Sequence, residues 1–318
     1  MSRSGWAELV LENEQLRVTV LPEKGADIVG FEHRATGVDP LFRAPWGLQP
    51  AGSAPREGSD GHAFLENYEG GWQELFPNAG DPCTYRGQVI PFHGEVATLP
   101  WDCEQADDEL RCTVLCRRVP LRLTRTMRLQ GTTLVLEEMV ENLGSERTHF
   151  VWGHHCVVGP PFLERGCRLR VAARTIVTIP EMWEDTARLE PGQRSSWPHS
   201  HLRAGGEVDL GEVPGPEAES HDDVYLTDLA GGWASVENPR LGLAFRLAWD
   251  PDVFRWIISW QPYGGAKAMP LAGAYALGLE PWVTRRNLEA AVTAGEALAL
   301  DAGERFGTIL RATMEEIV

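Results

Sequence analysis

Short runs in which apolar and polar residues alternate recur along the chain. In QLRVTVL, for example, Leu16, Val18 and Val20 share one face, whereas Arg17 and Thr19 face the other way. A period of two residues is that of a β-strand with one buried face. The same pattern, enriched in β-branched residues, predicts strands in RCTVLCRRVPLRLTRTMRLQGTTLVLEEMVEN, RLRVAARTIVTI, DVYLTDL, WASVENP, GLAFRLAWD and FRWIISWQ. Turn signals such as ENLGS and NPRLG separate these runs, so the pattern predicts an all-β, antiparallel protein with few short helices.

The tail EAAVTAGEALALDAGERFGTILRATMEE admits two interpretations. Its Ala, Leu and Glu residues favour a helix by propensity. ALAL and FGTILRATM, separated by DAGE, also fit two strands around a turn, and we adopt this second interpretation. Two segments rich in Gly, Pro and charged residues, 49–62 and 203–221, are predicted surface loops. Because the alternation continues on both sides of the second loop, we predict a single domain over residues 1–318.

The composition narrows the possible partners. The 29 Lys and Arg residues against 46 Asp and Glu residues give a net charge of −17, which disfavours binding to nucleic acid or to an anionic membrane surface. The N-terminus lacks an apolar signal-peptide core, and no run of about 18 apolar residues occurs, so a cytoplasmic protein is predicted. The cysteines form no CxxC pair, which predicts buried reduced thiols at Cys83, Cys103, Cys112, Cys116, Cys156 and Cys167.

Familiar nucleotide-binding, nucleophile-elbow and zinc-protease motifs are absent, but polar clusters beside Gly, Pro and Trp stand out. They are GGWQELFPNAG, PFHGEV, VWGHHCVVGPPF, HDDVYLTDL, WQPYGG and LGLEPW. Neighbouring residues on a strand face opposite ways, so at most one of His154 and His155 points into a given cavity. Neither histidine has a second possible metal ligand two or four residues away on the same element, and the nearby carboxylates are not clustered in the sequence. We therefore predict no metal and no cofactor.

Glu280 follows the nearly apolar run AGAYALGL. A carboxylate at the end of a buried strand is costly unless it is paired or functional. A salt bridge to Arg285 or Arg286 is the structural alternative to a functional role. Tryptophan accounts for 12 aromatic residues, against 10 Phe and 5 Tyr, and this share fits either sugar stacking or a Trp-filled β-core.

The order of these motifs (FHGE, then GHH with GPPF, then DDVYLTD, then LGLEP) resembles the aldose 1-epimerase, or galactose mutarotase-like, superfamily, and is nearest to its divergent, uncharacterised branch. The resemblance runs from about residue 8 to the C-terminus. It implies a large antiparallel β-supersandwich whose sugar site lies on the concave face of one sheet. It also implies a cofactor-independent isomerase that interconverts the α and β anomers of a free sugar.

The resemblance also implies roles for individual residues. His155 would be the general acid, Glu280 the general base, and His93 a histidine that holds the sugar beside the reacting atoms. Asp223 or Asp222 would bind substrate. Further candidate substrate-binding residues from the same clusters are Trp72, Gln73, Glu74, Trp152, His154, Gln261 and Trp282, with Trp260 as another candidate for stacking.

Anomer exchange requires removal of the C1 hydroxyl proton and protonation of the ring oxygen, which an acid and a base on opposite sides of the sugar can perform. A sugar-binding or sensing protein that has lost turnover is the alternative, and retention of both His155 and Glu280 favours the enzyme. A lyase or glycosidase on this fold would need additional modules. Because the clusters contain few Arg or Lys residues, a neutral sugar is favoured over a sugar phosphate. The expected partner is a small sugar, with monomer and homodimer both open.

Overall fold

The computed structural model describes residues 2–52, 63–181 and 184–317. Its strands are β1 (Ser2–Arg3), β2 (Trp6–Ala7), β3 (Leu9–Glu12), β4 (Leu16–Leu21), β5 (Asp27–His33), β6 (Trp72–Leu75), β7 (Cys83–Tyr85), β8 (Gln88–Ile90), β9 (Asp102–Ala106), β10 (Glu109–Leu115), β11 (Leu121–Gln130), β12 (Thr133–Asn142), β13 (Thr148–Phe150), β14 (Gly153–Val158), β15 (Arg168–Val171), β16 (Thr175–Thr178), β17 (Arg194–Ser196), β18 (His199–His201), β19 (Glu207–Asp209), β20 (Ser220–Thr227), β21 (Trp233–Asn238), β22 (Leu243–Ala248), β23 (Trp256–Tyr263), β24 (Leu277–Gly278), β25 (Glu280–Trp282), β26 (Leu298–Leu300) and β27 (Arg305–Glu316). The helices are α1 (Ala63–Glu66) and α2 (Leu288–Ala294), with 3-10 turns at Val96–Thr98 and Pro216–Ala218.

Two large antiparallel sheets form the body of the protein. One has eight strands in the order β15-β21-β22-β27-β12-β11-β10-β9. The other has the order β17-β16-β20-β23-β25-β14-β6-β5-β4-β3, with β24 also paired to β14. The Phe31 ring of the larger sheet meets the Phe245 ring of the smaller sheet edge to face, with centroids 5.3 Å apart. The predicted all-β antiparallel sandwich with few short helices is confirmed.

The local patterns explain these elements. Along β11, Leu121, Leu123 and Met127 alternate with half-exposed polar residues, so one face of the strand packs into the core. The predicted strand pair of the tail is confirmed as β26 and β27, whereas the Ala-rich segment before it forms α2. Asn287 caps this helix by accepting a hydrogen bond from the Ala290 amide, and Gly295, with φ of 69°, ends it in the left-handed conformation.

Two expectations about the chain need correction. Cys103 and Cys112 are joined in a disulfide because the β9–β10 hairpin brings them directly opposite one another, so the expectation of six reduced thiols is wrong for this pair. Cys116 is half-buried rather than buried. The predicted loop 203–221 contains the short strand β19 and a 3-10 turn, whereas residues 53–62 of the predicted loop 49–62 lie outside the described residues. In the described segments, no helix is long and apolar enough to cross a membrane.

Candidate active site

Strand β14, which contains the GHH motif, lies inside the larger sheet and is buried along its whole length. Alternation directs its two histidines to opposite faces of the sheet. His154 pairs in register with Glu74 of β6 and faces the smaller sheet, whereas His155 pairs with Gln73 and faces away from it. The two histidines therefore belong to two different environments, as strand geometry predicts.

On the His155 side, the larger sheet and its loops enclose a cavity of about 450 Å³. This volume lies in the usual range for small-molecule sites, roughly 300–1,000 Å³. Sheet residues and loop residues both contribute to its wall. The polar and charged residues of the wall are Asp81, His93, His155, Glu181, Asp223, Tyr225, Glu280, Arg285 and Asn287, and the aromatic ones include Phe64, Tyr68, Phe92, Trp260 and Trp282.

At the base of this cavity, His155 and Glu280 lie side by side. The closest approach is 3.7 Å, between His155 Nε2 and Glu280 Oε1, and the two side chains are 10% and 2% exposed. This separation leaves no room for a sugar ring between these atoms, so the expectation of an acid and a base on opposite sides is replaced by an adjacent pair. The hydroxyl and ring oxygens of a cyclic aldose are bonded to the same carbon, so an adjacent pair can reach both.

Burial changes the charge state of this pair. It lowers the pKa of His155 to about 3, so the imidazole is neutral at pH 7. Burial, with the Asp223 charge second, raises the pKa of Glu280 well above its usual value, which favours the protonated carboxyl. Burial thus favours the neutral form of both members of the pair.

Two glycines of the motifs make space for the side chains of the site. A Cβ atom on Gly278 would lie 2.5 Å from Glu280 Oε1, and one on Gly153 would lie 2.8 Å from Trp282 Cδ1. Both distances are too short for non-bonded atoms, so a side chain at either position would force its neighbour to move. Glycine in the LGLE and WGHH sequences thus lets Glu280 and Trp282 pack closely against the backbone.

His93 stands above the pair on the loop after β8. Its backbone has a φ of 60°, an uncommon conformation for a residue other than glycine, and Gly94 follows with a φ of 78°. His93 Nδ1 lies 3.0 Å from the Ala79 carbonyl oxygen, which can only accept, so Nδ1 carries the proton and Nε2 is left as an acceptor. Burial lowers the pKa of His93, which keeps the ring neutral. Its ring centre is 5.6 Å from that of His155.

The two aspartates of the DDVYL motif have separate environments. Asp223 lines the cavity, and burial, followed by the Asp222 charge, raises its pKa to about 7. Asp222 faces the other way, where its carboxylate accepts hydrogen bonds from the Arg188 and Leu189 amides and from Arg188 Nε at 2.7 Å. Of the two expected substrate-binding aspartates, the structure brings only Asp223 to the cavity.

Other expected substrate-binding residues lie away from the cavity wall. Gln73 donates a hydrogen bond to the Gly70 carbonyl, and Gln261 donates one to Ser259 Oγ, so both side-chain amides are used in contacts within the protein. The remaining four face the smaller sheet because they alternate with cavity-facing residues, and they are buried in the core: Trp72, Glu74, Trp152 and His154. Trp282 lines the cavity, as does Trp260, whose indole nitrogen donates to His221 Nε2 at 2.7 Å.

A second polar cluster fills the space between the sheets. His154 Nε2 lies 3.2 Å from Glu138 Oε2, and Arg125 Nη1 lies 3.3 Å from Glu74 Oε2. Burial raises the pKa of Glu74 to about 8 and that of Glu138 to about 7, and lowers the pKa of His154 to about 4. Indole nitrogens complete the cluster, with Trp72 donating to His154 Nδ1 and Trp152 donating to Glu74.

Ligand atoms of Glu74, Glu138 and His154 lie within 4.8 Å of one another, which is a possible metal-ligand spacing. The expectation that carboxylates are not clustered near His154 is therefore incorrect, since Glu138 arrives from the facing sheet. The Arg125 guanidinium already supplies a buried positive charge to Glu74. The raised pKa values of Glu74 and Glu138 reduce their negative charge and the guanidinium offsets part of the remainder, so the residues fit a charge cluster better than a metal site.

Several cavity residues were not expected from the sequence. Tyr68 packs edge-on against His155 with ring centres 5.0 Å apart, and Phe64 packs on the same ring at 5.3 Å. Tyr225 of β20 and Arg285, which lies in the segment after β25, also line the cavity. Tyr225 follows Asp223 by two residues, a spacing that could have identified it. The structural alternative for Glu280, a salt bridge to Arg285 or Arg286, is not formed among the described residues, where Arg286 pairs with Glu296 instead.

In the part of the chain that the structure describes, five polar atoms of the cavity wall lack hydrogen-bond partners. Each of these atoms is buried and has no hydrogen-bond partner within the described residues. They are Tyr68 Oη, His155 Nδ1, Asp223 Oδ1, Glu280 Oε1 and Trp282 Nε1. Buried polar groups are normally paired, so an orphaned set converging on one cavity indicates that a polar ligand supplies the partners.

Comparison with known proteins agrees with the fold. The structure of the Slr1438 protein from Synechocystis sp. PCC 6803 has a TM-score of 0.71 and 19% identity, over 99% of each chain. A galactose mutarotase related enzyme from Lactobacillus acidophilus has a TM-score of 0.68 and 14% identity, over 98% of this chain and 100% of that chain. A galactose mutarotase-like protein from Lactobacillus casei ATCC 334 has a TM-score of 0.66 and 15% identity, over 97% and 100%.

No match was found among curated proteins. A family model described as "Domain of unknown function (DUF4432)" matches residues 3–313, which is nearly the whole chain. The expected resemblance is confirmed at the level of the fold. This chain belongs to the DUF4432 family and has the galactose mutarotase-like fold.

Proposed function

We propose that this protein is an aldose 1-epimerase that interconverts the anomers of a free sugar without a cofactor. The observation that carries the proposal is the convergence of five unpartnered buried polar atoms on one cavity, two of them on the adjacent His155 and Glu280 side chains. A cyclic sugar offers hydroxyl groups that both donate and accept, so it can satisfy such a set. The fold shared with a galactose mutarotase related enzyme supports the same assignment.

The chemistry starts from the neutral forms of His155 and Glu280. Glu280, whose pKa is raised, donates its proton to the ring oxygen, while neutral His155 accepts the proton of the C1 hydroxyl. The C1–O5 bond breaks, the C1–O1 bond becomes a carbonyl, and an imidazolium–carboxylate pair forms across the 3.7 Å contact. Rotation about C1–C2 followed by the reverse transfers closes the ring on the other face. In this scheme Glu280 is the acid and His155 the base for ring opening. The resemblance implies the reverse assignment for the same two residues.

Neighbouring residues orient the sugar. His93 Nε2, left unprotonated because Nδ1 donates to Ala79, accepts a hydrogen bond from a sugar hydroxyl. Asp223 binds a second hydroxyl, and the Trp282 and Trp260 rings cover the apolar C–H face. Each correctly positioned proton carrier typically contributes about 10²- to 10⁴-fold to the rate.

Exchange NMR on a panel of aldoses tests the proposal. Saturation of one anomeric proton signal should transfer to the other when the enzyme is added, and Glu280→Gln should abolish the transfer. A sugar that quenches tryptophan fluorescence without any exchange, in the wild-type protein, would instead identify the alternative, a non-catalytic sugar-binding protein. The same measurements in EDTA test the expectation of a metal-free reaction, since loss of exchange there would contradict it.

A further inference from the structure

Arg285 is a cation on the cavity wall that the proposed proton transfers leave unused. Its guanidinium carbon lies 5.6 Å from the Tyr225 ring centre and 5.7 Å from the Trp256 ring centre. Over the described segments of the chain it forms neither an ion pair nor a hydrogen bond. The side chain is half-buried, so its charge is only partly hydrated.

The next residue shows what a structural arginine looks like in this segment. Arg286 Nε lies 3.3 Å from Glu296 Oε1, which supplies its counter-charge. Arg285 turns the other way, to the cavity, where two aromatic rings hold its planar group. Aromatic faces fix an arginine without neutralising it, so the donors of the guanidinium stay available.

The sheet register indicates how far the residues that hold Arg285 lie from Glu280. Glu280 is paired with Ile258, and the next pair on the same face of β25 and β23 is Trp282 with Trp256, whose ring Arg285 contacts. One strand across and two residues along correspond to about 5 Å and ~7 Å. That offset suits a group at the far end of a pyranose whose C1 lies at Glu280.

The other charged groups of the wall do not duplicate this feature. Burial keeps His93 and His155 neutral by lowering the pKa of each ring. The carboxyls nearest the pair, Asp223 and Glu280, have raised pKa values. Asp81 and Glu181 lie exposed to solvent at the wall's edge. Among the described wall residues, Arg285 is the one permanent cation.

We propose that the sugar accepted by this cavity carries an anionic oxygen group, a carboxylate or a phosphate, which Arg285 binds while C1 lies at His155 and Glu280. This inference rests on the proposed mutarotase function and reverses the expectation of a neutral sugar. The planar fork of arginine donates two parallel hydrogen bonds to either group, a geometry that an isolated hydroxyl cannot match.

Sugars that differ only at C6 test the proposal directly. Anomer exchange is measured by NMR with D-glucuronate, D-glucose 6-phosphate and D-glucose, and with D-galacturonate, D-galactose 6-phosphate and D-galactose. In at least one series, we expect kcat/KM for an acidic sugar to exceed that for the neutral sugar by about 10- to 100-fold, the usual effect of a hydrogen bond to a charged group. Arg285→Gln should remove this advantage, and the matched control Arg286→Gln should keep it.

The arms of the experiment separate the sources of the anion. Preference for a uronate identifies a carboxylate, and preference for a 6-phosphate identifies a phosphate. Equal or better turnover of the neutral sugars, or an unchanged ratio in Arg285→Gln, would overturn the anion site and leave the mutarotase function standing.

A fluorescence titration with the same six sugars covers the case in which none is exchanged, because Trp260 and Trp282 line the cavity. Tight binding of an acidic sugar that Arg285→Gln weakens would support the anion site and contradict the mutarotase function. Absence of any such Arg285-dependent binding would overturn both.

Discussion

Two adjacent histidines of β14 stand in opposite environments built from the same residue types. His155 shares the cavity with Glu280, at a closest distance of 3.7 Å. His154 lies between the sheets, 3.2 Å from Glu138 and opposite Glu74. Burial lowers the pKa of both histidines and raises the pKa of the glutamates beside them.

The comparison shows that a shifted pKa does not by itself identify a catalytic group. The core cluster contains a permanent cation, Arg125, which pairs with Glu74, so charges of opposite sign lie in contact there. The cavity pair has no such cation in contact and faces about 450 Å³ of space with unpartnered polar atoms around it. Both sets contain buried polar atoms that lack partners among the described residues, so open space and the missing cation distinguish the cavity pair from the core cluster.

The largest expected effect is on the cavity pair. His155→Ala and Glu280→Gln should each lower kcat for anomer exchange by about 10²-fold or more, because each removes one of the two proton carriers. His93→Ala should also weaken sugar binding, since its Nε2 acceptor is lost. Circular dichroism melting curves serve as the control and should show these variants folded. Exchange at the wild-type rate in either variant of the pair would remove that residue from the mechanism.

The next effect is on the stability of the core cluster. Arg125→Met should lower the free energy of unfolding by about 3–5 kcal/mol, because it leaves two buried carboxyls without their cation. Arg128 on the same strand pairs with Glu109 at the surface and provides the matched control. Arg128→Met should change stability little, since solvent screens its charge. Urea unfolding measures both variants, and equal losses would refute the distinction.

A smaller effect is expected at His154. His154→Ala should destabilise the fold by about 1–3 kcal/mol, because it leaves a cavity in the core and removes hydrogen bonds. The rate of anomer exchange should stay close to that of the wild-type protein. Urea unfolding and exchange NMR on the same sample test this. If His154→Ala abolished exchange and His155→Ala left it intact, the acid–base role would move to His154.

The smallest effect is a pH dependence. Folding raises the pKa of Glu74 from 4.5 to about 8 and that of Glu138 to about 7, so above pH 4.5 these two groups bind more protons in the folded protein than in the unfolded chain. Their contribution to stability therefore falls as pH rises. His154, with a pKa of about 4 when folded and 6.5 when unfolded, opposes this trend only below about pH 6.5.

Between pH 6.5 and 8 the decline should be unopposed by His154, at up to about 1.4 kcal/mol per pH unit for each proton released. Other buried carboxyls, such as Asp223, add the same sign. Urea unfolding at each pH gives the slope of the unfolding free energy against pH. This slope should be shallower in Glu74→Gln than in the wild-type protein, and the difference between the two slopes is the contribution of Glu74. Identical slopes would show that Glu74 is already ionised in the folded protein.

The fold and the central residues of the candidate site follow from local patterns. A period of two residues predicts strands wherever one face is buried, and the structure has them, including the strand pair of the tail. The same period predicts that His154 and His155 separate. Gly153 and Gly278 lie in two of the sequence motifs. A Cβ atom at these positions would lie too close to Trp282 and Glu280, respectively.

What alternation leaves open is which face of a strand meets a cavity and which meets the second sheet. Trp72, Glu74 and Trp152 were expected at the sugar site from their motif, yet they face the core. The disulfide between Cys103 and Cys112 depended on the register of one hairpin. Spacing along a chain does not reveal either feature.

The sequence by itself determined the alternating strands and the opposed histidines, because these depend on neighbours within a few residues. It also showed that Glu280 follows a nearly apolar run, although the structure places this residue at the start of β25 and not at the end of a strand. Only the tertiary structure decided that Glu138 and Arg125 close around His154, and that Arg285 turns to the cavity while Arg286 pairs with Glu296. Those contacts join residues from separate strands and loops. Their formation depends on how two sheets pack, which no local pattern encodes.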